Sequence, residues 1–291
     1  MTDSGRSLAG TTVVITGASS GIGRSAALEL GRRGARVAVV GRDPGRTHDV
    51  AASIDDAEAF VADFASLAEV RRLADELLHR YGRIDALANN AGGLFSRRTR
   101  TVDGHESTIQ VNHLAPFLLT ELLLPRLRET AAAGHPVTIV STGSVATRWG
   151  RLRLDDLDSR TWPWLGGWQA YGSAKTAVLL TTRELARRTR DSGITAYSFH
   201  PGFVTTSFGA SSWMLRVGNA LGNGGLGLTP QAGAVPLVEL VSAAAPSAPS
   251  GTYFDGLHPD GRASRAARDD ALAARLWEVS ESLVRPWLST P

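Results

Sequence analysis

The chain contains no cysteine. Disulfide scaffolds, zinc ribbons, iron–sulfur clusters and thiol nucleophiles are thereby excluded, and a reducing compartment is the expected setting. Lysine is nearly absent as well: of 31 basic residues, Lys175 is the single lysine and the others are arginine. Where a cation serves only solubility this chain uses arginine, so a specific role is expected of Lys175. Neither sign of charge is much in excess, with 31 basic against 28 acidic residues and a formal net charge of +3. That balance gives no electrostatic footprint for nucleic acid. No run approaches the ~20 apolar residues of a membrane-spanning helix, and the polar start from Met1 to Arg6 lacks the basic and apolar regions of a secretory signal. The expectation is a cytoplasmic protein with no integral membrane association.

What is present is enough for one sizeable core: 291 residues, 43% of them hydrophobic. Strand-like apolar runs at Thr12 to Thr16, Arg36 to Val40, Glu58 to Ala62, Ile84 to Ala88, Val137 to Val140 and Thr195 to Phe199 alternate with segments of helical period. Those segments include Gly21 to Arg33, Leu67 to Tyr81 and Ser107 to Arg128. Strands joined by helical crossovers predict an α/β, Rossmann-type doubly wound parallel sheet with helices on both faces, in a single domain. Pro125 predicts a kink or restart within its helix. Later segments read as a helix at Pro230 to Ser242, a short strand at Thr252 to Phe254 and a closing amphipathic helix at Asp269 to Leu283.

Between the first strand and first helix stands Thr16-Gly17-Ala18-Ser19-Ser20-Gly21-Ile22-Gly23. Glycines let the backbone turn tightly and approach a pyrophosphate, whose charge the free N–H groups of the following helix attract. Its Gly-x-x-x-Gly-x-Gly spacing is joined, in order along the chain, by Asn89-Asn90-Ala91-Gly92, by Asn112 in Val111-Asn112-His113, by Ser141, by Tyr171-Gly172-Ser173-Ala174-Lys175, and by Pro201-Gly202. In these motifs the chain resembles the short-chain dehydrogenase/reductases. The stretches Val102-Asp103-Gly104 and Gln110 to Thr120, with Thr229-Pro230, look most like the retinol-dehydrogenase-like branch.

That resemblance implies an oxidoreductase moving a hydride between a nicotinamide nucleotide and a carbonyl/alcohol pair. Tyr171 would be the general acid/base, Lys175 would favour its phenolate and contact the nicotinamide ribose, and Asn112 would bend its helix and hold a water linking Lys175 to solvent. For the hydroxyl on the carbonyl oxygen Ser141 is preferred, with Thr142 and Ser144 as alternatives. Cofactor contacts are expected from Gly17, Ser19, Ser20, Gly21, Ile22 and Gly23, from Asp63 and Phe64 after the third strand, from Asn89, Ala91 and Gly92, and from Pro201, Gly202, Val204 and Thr206. Gly41 occupies the position where an NAD-selective relative has aspartate, and Arg42 follows with a guanidinium suited to a ribose phosphate, so NADP(H) is the expected cofactor. Asp43 competes, since it can neutralise Arg42 or cap the next helix.

His113 and His200 have no metal-ligand spacing to another histidine or a carboxylate, so no metal is expected. Residues 142–170 form a long insertion with Trp149, Trp162, Trp164 and Trp168. Residues 203–229, with Phe203, Phe208, Trp213, Met214 and Leu215, fall where the family places its substrate lid. Aromatic side chains at both places suggest a bulky apolar substrate. The resemblance also implies a homodimer or homotetramer, unless the closing helix covers the usual contact surface. Two other uses of such a scaffold are an NADP-binding sensor or interaction protein without catalysis, and an epimerase or eliminating enzyme working by transient oxidation.

Overall fold

In a computed structural model of the chain, residues 7–204, 227–243 and 248–288 are described. Seven parallel strands form one sheet: β1 (Thr12–Thr16), β2 (Arg36–Gly41), β3 (Ala57–Val61), β4 (Ala86–Asn89), β5 (Val137–Thr142), β6 (Ile194–His200) and β7 (Tyr253–Asp255). Their order is β3-β2-β1-β4-β5-β6-β7, and every neighbouring pair is parallel. The chain reverses its direction of travel across the sheet between β1 and β4, which opens a crevice at the carboxyl ends of the strands. Thr-Val-Val-Ile-Thr of β1 is buried throughout. A β-branched run buried on both faces is what a central parallel strand requires.

Helices cover both faces. α1 (Gly21–Arg32), α2 (Pro44–Ala51) and α3 (Leu67–Arg80) follow the first three strands. α3 buries Leu67, Val70, Leu73, Ala74 and Leu77 along one stripe, and Ser66 caps its amino end by accepting from Glu69 N. A short helix α4 (Ser107–Ile109) widens into a π turn over Gln110–Leu114 and continues as α5 (Ala115–Ala132). α6 (Trp168–Arg188) precedes β6, and α7 (Pro230–Ser242) and α8 (Asp270–Leu288) complete the described helices. One core lies under α3, α5 and α6 around Leu67, Leu118 and Ile139; the other lies under α1 and α7 around Leu30, Val39 and Leu237.

The helix does not restart at Pro125. α5 runs through Pro125, and the irregularity falls earlier, at the π turn that carries Asn112. A proline removes one N–H donor, which a well-packed helix tolerates, whereas an extra residue in a turn leaves the i→i−4 ladder locally broken. Asp103 explains its neighbourhood: its carboxylate accepts from Leu67 N at 2.9 Å and from Gln110 Nε2 at 2.7 Å, pinning the π turn to the start of α3. α8 lies across α5 and α6, with Trp277 edge-on to Phe117 at 4.9 Å and under the Arg188 guanidinium at 4.7 Å. Among the described residues no helix is long and apolar enough to cross a membrane.

Candidate active site

The glycine-rich turn sits at the carboxyl end of β1. Gly17 adopts φ +66°, a left-handed conformation that favours glycine. A Cβ on Gly23 would stand 2.3 Å from Gly17 O and 2.5 Å from Asn90 Nδ2, so the turn closes only on a bare backbone. Asn90 clamps it, donating from Nδ2 to Thr16 O at 3.0 Å, while Thr16 Oγ1 accepts from the N–H groups of Asn90 and Ala91 at 3.0 Å each. Ser20 precedes α1 without capping it through its side chain, and no acidic residue stands in the first turn. Amino-terminal N–H groups with no local competitor fit an anionic diphosphate.

At the end of β2, Asp43 accepts from Arg46 N at 2.9 Å and pairs with the Arg46 guanidinium at 3.3 Å. It therefore caps α2 and is partnered by Arg46, while Arg42 stays exposed and forms no hydrogen bond or ion pair among the described residues. A Cβ on Gly41 would lie 2.3 Å from Thr47 Oγ1 and 2.9 Å from Ser19 Cβ. A side chain at this position would have to displace Thr47 or Ser19. Asp63 is half-buried and turns its carboxylate to Ala65 N, and Phe64 is buried, its carbonyl accepting from Gln110 Nε2.

Asn89 faces inward and donates to Thr120 Oγ1 of α5 at 2.9 Å. Gly92 lies against Asn112 and Lys175: a Cβ there would be 2.6 Å from Asn112 Oδ1 and 3.4 Å from Lys175 Nζ. Asn112 is buried and its amide is fully engaged. Nδ2 donates to Gly93 O and Thr108 O, and Oδ1 accepts from Gly93 N. The Asn112 side chain thus ties the segment after β4 to the π turn.

Tyr171 and Lys175 project from successive turns of α6, with 6% and 3% of their surface exposed. Lys175 Nζ donates to Thr142 O at 2.8 Å and lies 5.7 Å from the centre of the Tyr171 ring. Burial raises the Tyr171 phenol to about 12 and lowers the Lys175 ammonium to about 8, because each charged form is poorly solvated there. The hydroxyl that acts on Tyr171 is that of Ser144, and it favours the phenolate. Ser144 also accepts from Ala146 N at 3.2 Å, capping the 3-10 turn Val145–Arg148. Ser141, the preferred candidate from sequence, is still within β5, paired with Ser198 and Asn89. Strand alternation puts its side chain on the face of Val137 and Ile139. Thr142 is engaged elsewhere, its Oγ1 donating to Asn90 Oδ1 at 3.2 Å. A period-2 count from Val137 would have separated Ser141 from the strand end; nothing local in the sequence marks Asn90 as the clamp.

Around Tyr171, Trp168 stands edge-on at 6.2 Å, and Leu94 and Ala146 complete a small apolar cluster. Trp164 is held away from this cluster by Nε1 donating to Ser96 O and by the Arg98 guanidinium over its ring, and Arg151 lies over Trp162. Trp149 and Phe203 are exposed. Pro201 and Gly202 follow β6, with Gly202 at φ +84°, and Val204 bridges Leu228. A Cβ on Gly233 of α7 would touch both Val204 and Ile22, so α7 gathers the phosphate turn and the Pro201–Val204 segment at one place. Thr206, Phe208, Trp213, Met214 and Leu215 lie outside the described residues.

The family model described as short chain dehydrogenase matches residues 11–154. "Putative daunorubicin C-13 ketoreductase DnrU" of Streptomyces sp. (strain C5) is 44% identical over 287 residues, covering 95% of this chain and 93% of that protein. Human retinol dehydrogenase 13 is 36% identical over 288 residues, covering 94% and 85%. Among solved structures, the Pseudomonas aeruginosa RhlG/NADP active-site complex superposes with a TM-score of 0.68 at 30% identity, covering 87% of this chain and 98% of that one. The chain belongs to the short-chain dehydrogenase/reductase family of oxidoreductases, in its retinol-dehydrogenase-like branch, and has the family's NAD(P)-binding fold.

Proposed function

We propose that the protein is an NADP(H)-dependent carbonyl reductase of a bulky apolar ketone or aldehyde, with Tyr171 as general acid/base. The observation that carries the reading is the buried Tyr171, with Ser144 on its phenol and the chain's single lysine beside its ring. Bound nucleotide supplies the hydride in reduction and accepts it in oxidation. The Gly17 to Gly23 turn, with Ser19, Ser20, Gly21 and Ile22, would hold its diphosphate, and Arg42 its ribose phosphate. Asp63, Phe64, Asn89, Ala91 and Gly92 would stand on the adenosine side. Lys175 would hold the nicotinamide ribose, and Pro201, Gly202, Val204 and Thr206 the carboxamide.

In reduction, Tyr171 gives its phenolic proton to the carbonyl oxygen while Ser144 donates a hydrogen bond to the same atom as charge develops there. The phenolate left behind is poorly solvated, and Lys175 supplies the offsetting charge from a compact ammonium that fits the buried space. Asn112 holds Gly93, and with it the backbone next to Lys175, in place. Trp168, Leu94 and Ala146 support an apolar body next to the reacting carbon, and the names of the ketoreductase and retinol dehydrogenase relatives agree with such a substrate. The absence of cysteine suits work in the cytoplasm.

The test is nucleotide oxidation by the purified protein against a panel of apolar ketones and aldehydes, with NADPH and NADH in parallel. Turnover that prefers NADPH is expected. Tight NADPH binding with no net oxidation across the panel would overturn the reductase reading in favour of a binding protein.

A further inference from the structure

Beside the catalytic turn lies an open cavity of about 710 Å³ lined by Arg148, Arg262, Ala263, Arg265, Arg268 and Asp269. Its guanidinium groups come from two distant stretches of chain, the 3-10 turn that Ser144 caps and the loop leading into α8. Several arginines of this protein hold a carboxylate, among them Arg33, Arg71, Arg83, Arg183 and Arg188. Those of the cavity do not. Arg148, Arg262 and Arg265 have no hydrogen-bond or ion-pair partner among the described residues, and Arg268 reaches only a backbone carbonyl, that of Gly261, at 3.2 Å. The one acid of the lining, Asp269, is committed as a helix cap, accepting from Leu272 N at 3.0 Å.

Like charges gathered within a screening length of one another repel, and a chain that needs only solubility gains nothing by converging them on a concavity. A phosphate or carboxylate relieves that repulsion, and the planar guanidinium fork matches both groups. The cavity is open, and its four arginines are exposed. Its place is also informative. Arg148 ends the turn that begins at Ser144, and Gly261, which Arg268 holds, bonds back to Tyr253 of β7. The cavity therefore adjoins the segment that presents the Ser144 hydroxyl.

We infer that this cavity binds the anionic end, a phosphate or carboxylate, of a substrate whose apolar body lies against Trp168 and Tyr171. The existence of an anion site stands on the cavity alone; that its anion is the far end of the carbonyl substrate rests on the reductase reading above.

Two measurements test it. With NADP held saturating, so that the nucleotide's own phosphate contacts are filled, inorganic pyrophosphate is titrated calorimetrically at low ionic strength. One site with a Kd of about 1 mM or tighter is expected. The pair Arg148→Gln/Arg265→Gln should weaken it about tenfold or more, while Arg128→Gln/Arg275→Gln, which removes the same charge from exposed positions elsewhere, should not. No binding, or equal loss in both double variants, overturns the anion site. Next, benzoyl-alkanoic acids of increasing chain length are compared with their methyl esters as substrates. An acid preferred over its ester by about tenfold in kcat/KM, a preference that collapses in Arg148→Gln/Arg265→Gln with ester turnover unchanged, supports the inference. Acid and ester used equally throughout the series overturns the substrate assignment. Pyrophosphate binding with no turnover of any ketone would instead count against the reductase reading and leave the anion site standing.

Discussion

The Ser144 hydroxyl reaches the Tyr171 phenol because β5 ends at Thr142 and the chain then turns, through Gly143, onto α6. A Cβ on Gly143 would stand 3.0 Å from the Tyr253 ring and 3.1 Å from Phe199 O, so the turn is pressed against β6 and β7. Ser144 emerges from it at the amino end of a 3-10 turn whose Ala146 N–H it accepts. The position of the hydroxyl is thus set by packing on three sides.

Exchanging the two serines separates their roles. Ser144→Ala is expected to lower kcat by about 10²–10³-fold, the usual loss for one donor to a developing oxyanion. Ser141→Ala should stay within a few-fold of wild type, its side chain being directed to the sheet face of Val137 and Ile139. Steady-state kinetics of both variants decide the matter, and the reverse ranking would return the role to Ser141.

Tyr171→Phe keeps the ring that packs against Trp168 and removes the proton donor. A drop in kcat of about 10²–10⁴-fold is expected, with NADPH affinity, followed by nucleotide fluorescence, nearly unchanged. Binding lost together with turnover would mean that Tyr171 shapes the nucleotide site instead.

Arg42→Ala should raise the Kd for NADPH by about 10–100-fold, the worth of a hydrogen bond to a charged group, while the Kd for NADH moves little. The converse route, Gly41→Asp, is expected to fail as a switch toward NADH. Its Cβ would meet Thr47 Oγ1 at 2.3 Å, and overpacking there should cost about 1–3 kcal/mol in a urea denaturation. A well-folded, NADH-preferring Gly41→Asp protein would contradict this account of the β2 end.

His113 makes the fold sensitive to acid. Its ring is buried under α8 with Nε2 2.7 Å from Ser280 Oγ, and burial lowers it from an ordinary 6.5 to about 4. The folded state therefore keeps His113 neutral where the unfolded chain would protonate it. The stabilisation is complete above about pH 6.5 and is lost as pH falls toward 4, reaching a total of about 3 kcal/mol. Denaturation midpoints measured across that window should fall in wild type and fall less in His113→Gln, a neutral replacement that does not titrate.

Much of this was written locally. The hydrophobic period of Leu67 to Tyr81, the β-branched run at Thr12 to Thr16 and the glycines after Thr16 each act on their own neighbours, so strands, helices and phosphate turn could be placed to within a few residues. Tyr171 and Lys175 were legible for the same reason, being one helical turn apart. What depended on distant packing was not. Asn90 clamps Thr16 across the sheet, and Ser144, not Ser141, stands beside Tyr171. For the hydroxyl the local text offered Ser141, Thr142 and Ser144 as near equivalents, and for the clamp it offered no mark. Only contacts between segments far apart in the chain separated them, because a hydrogen bond or a packed ring distinguishes positions that propensity treats alike.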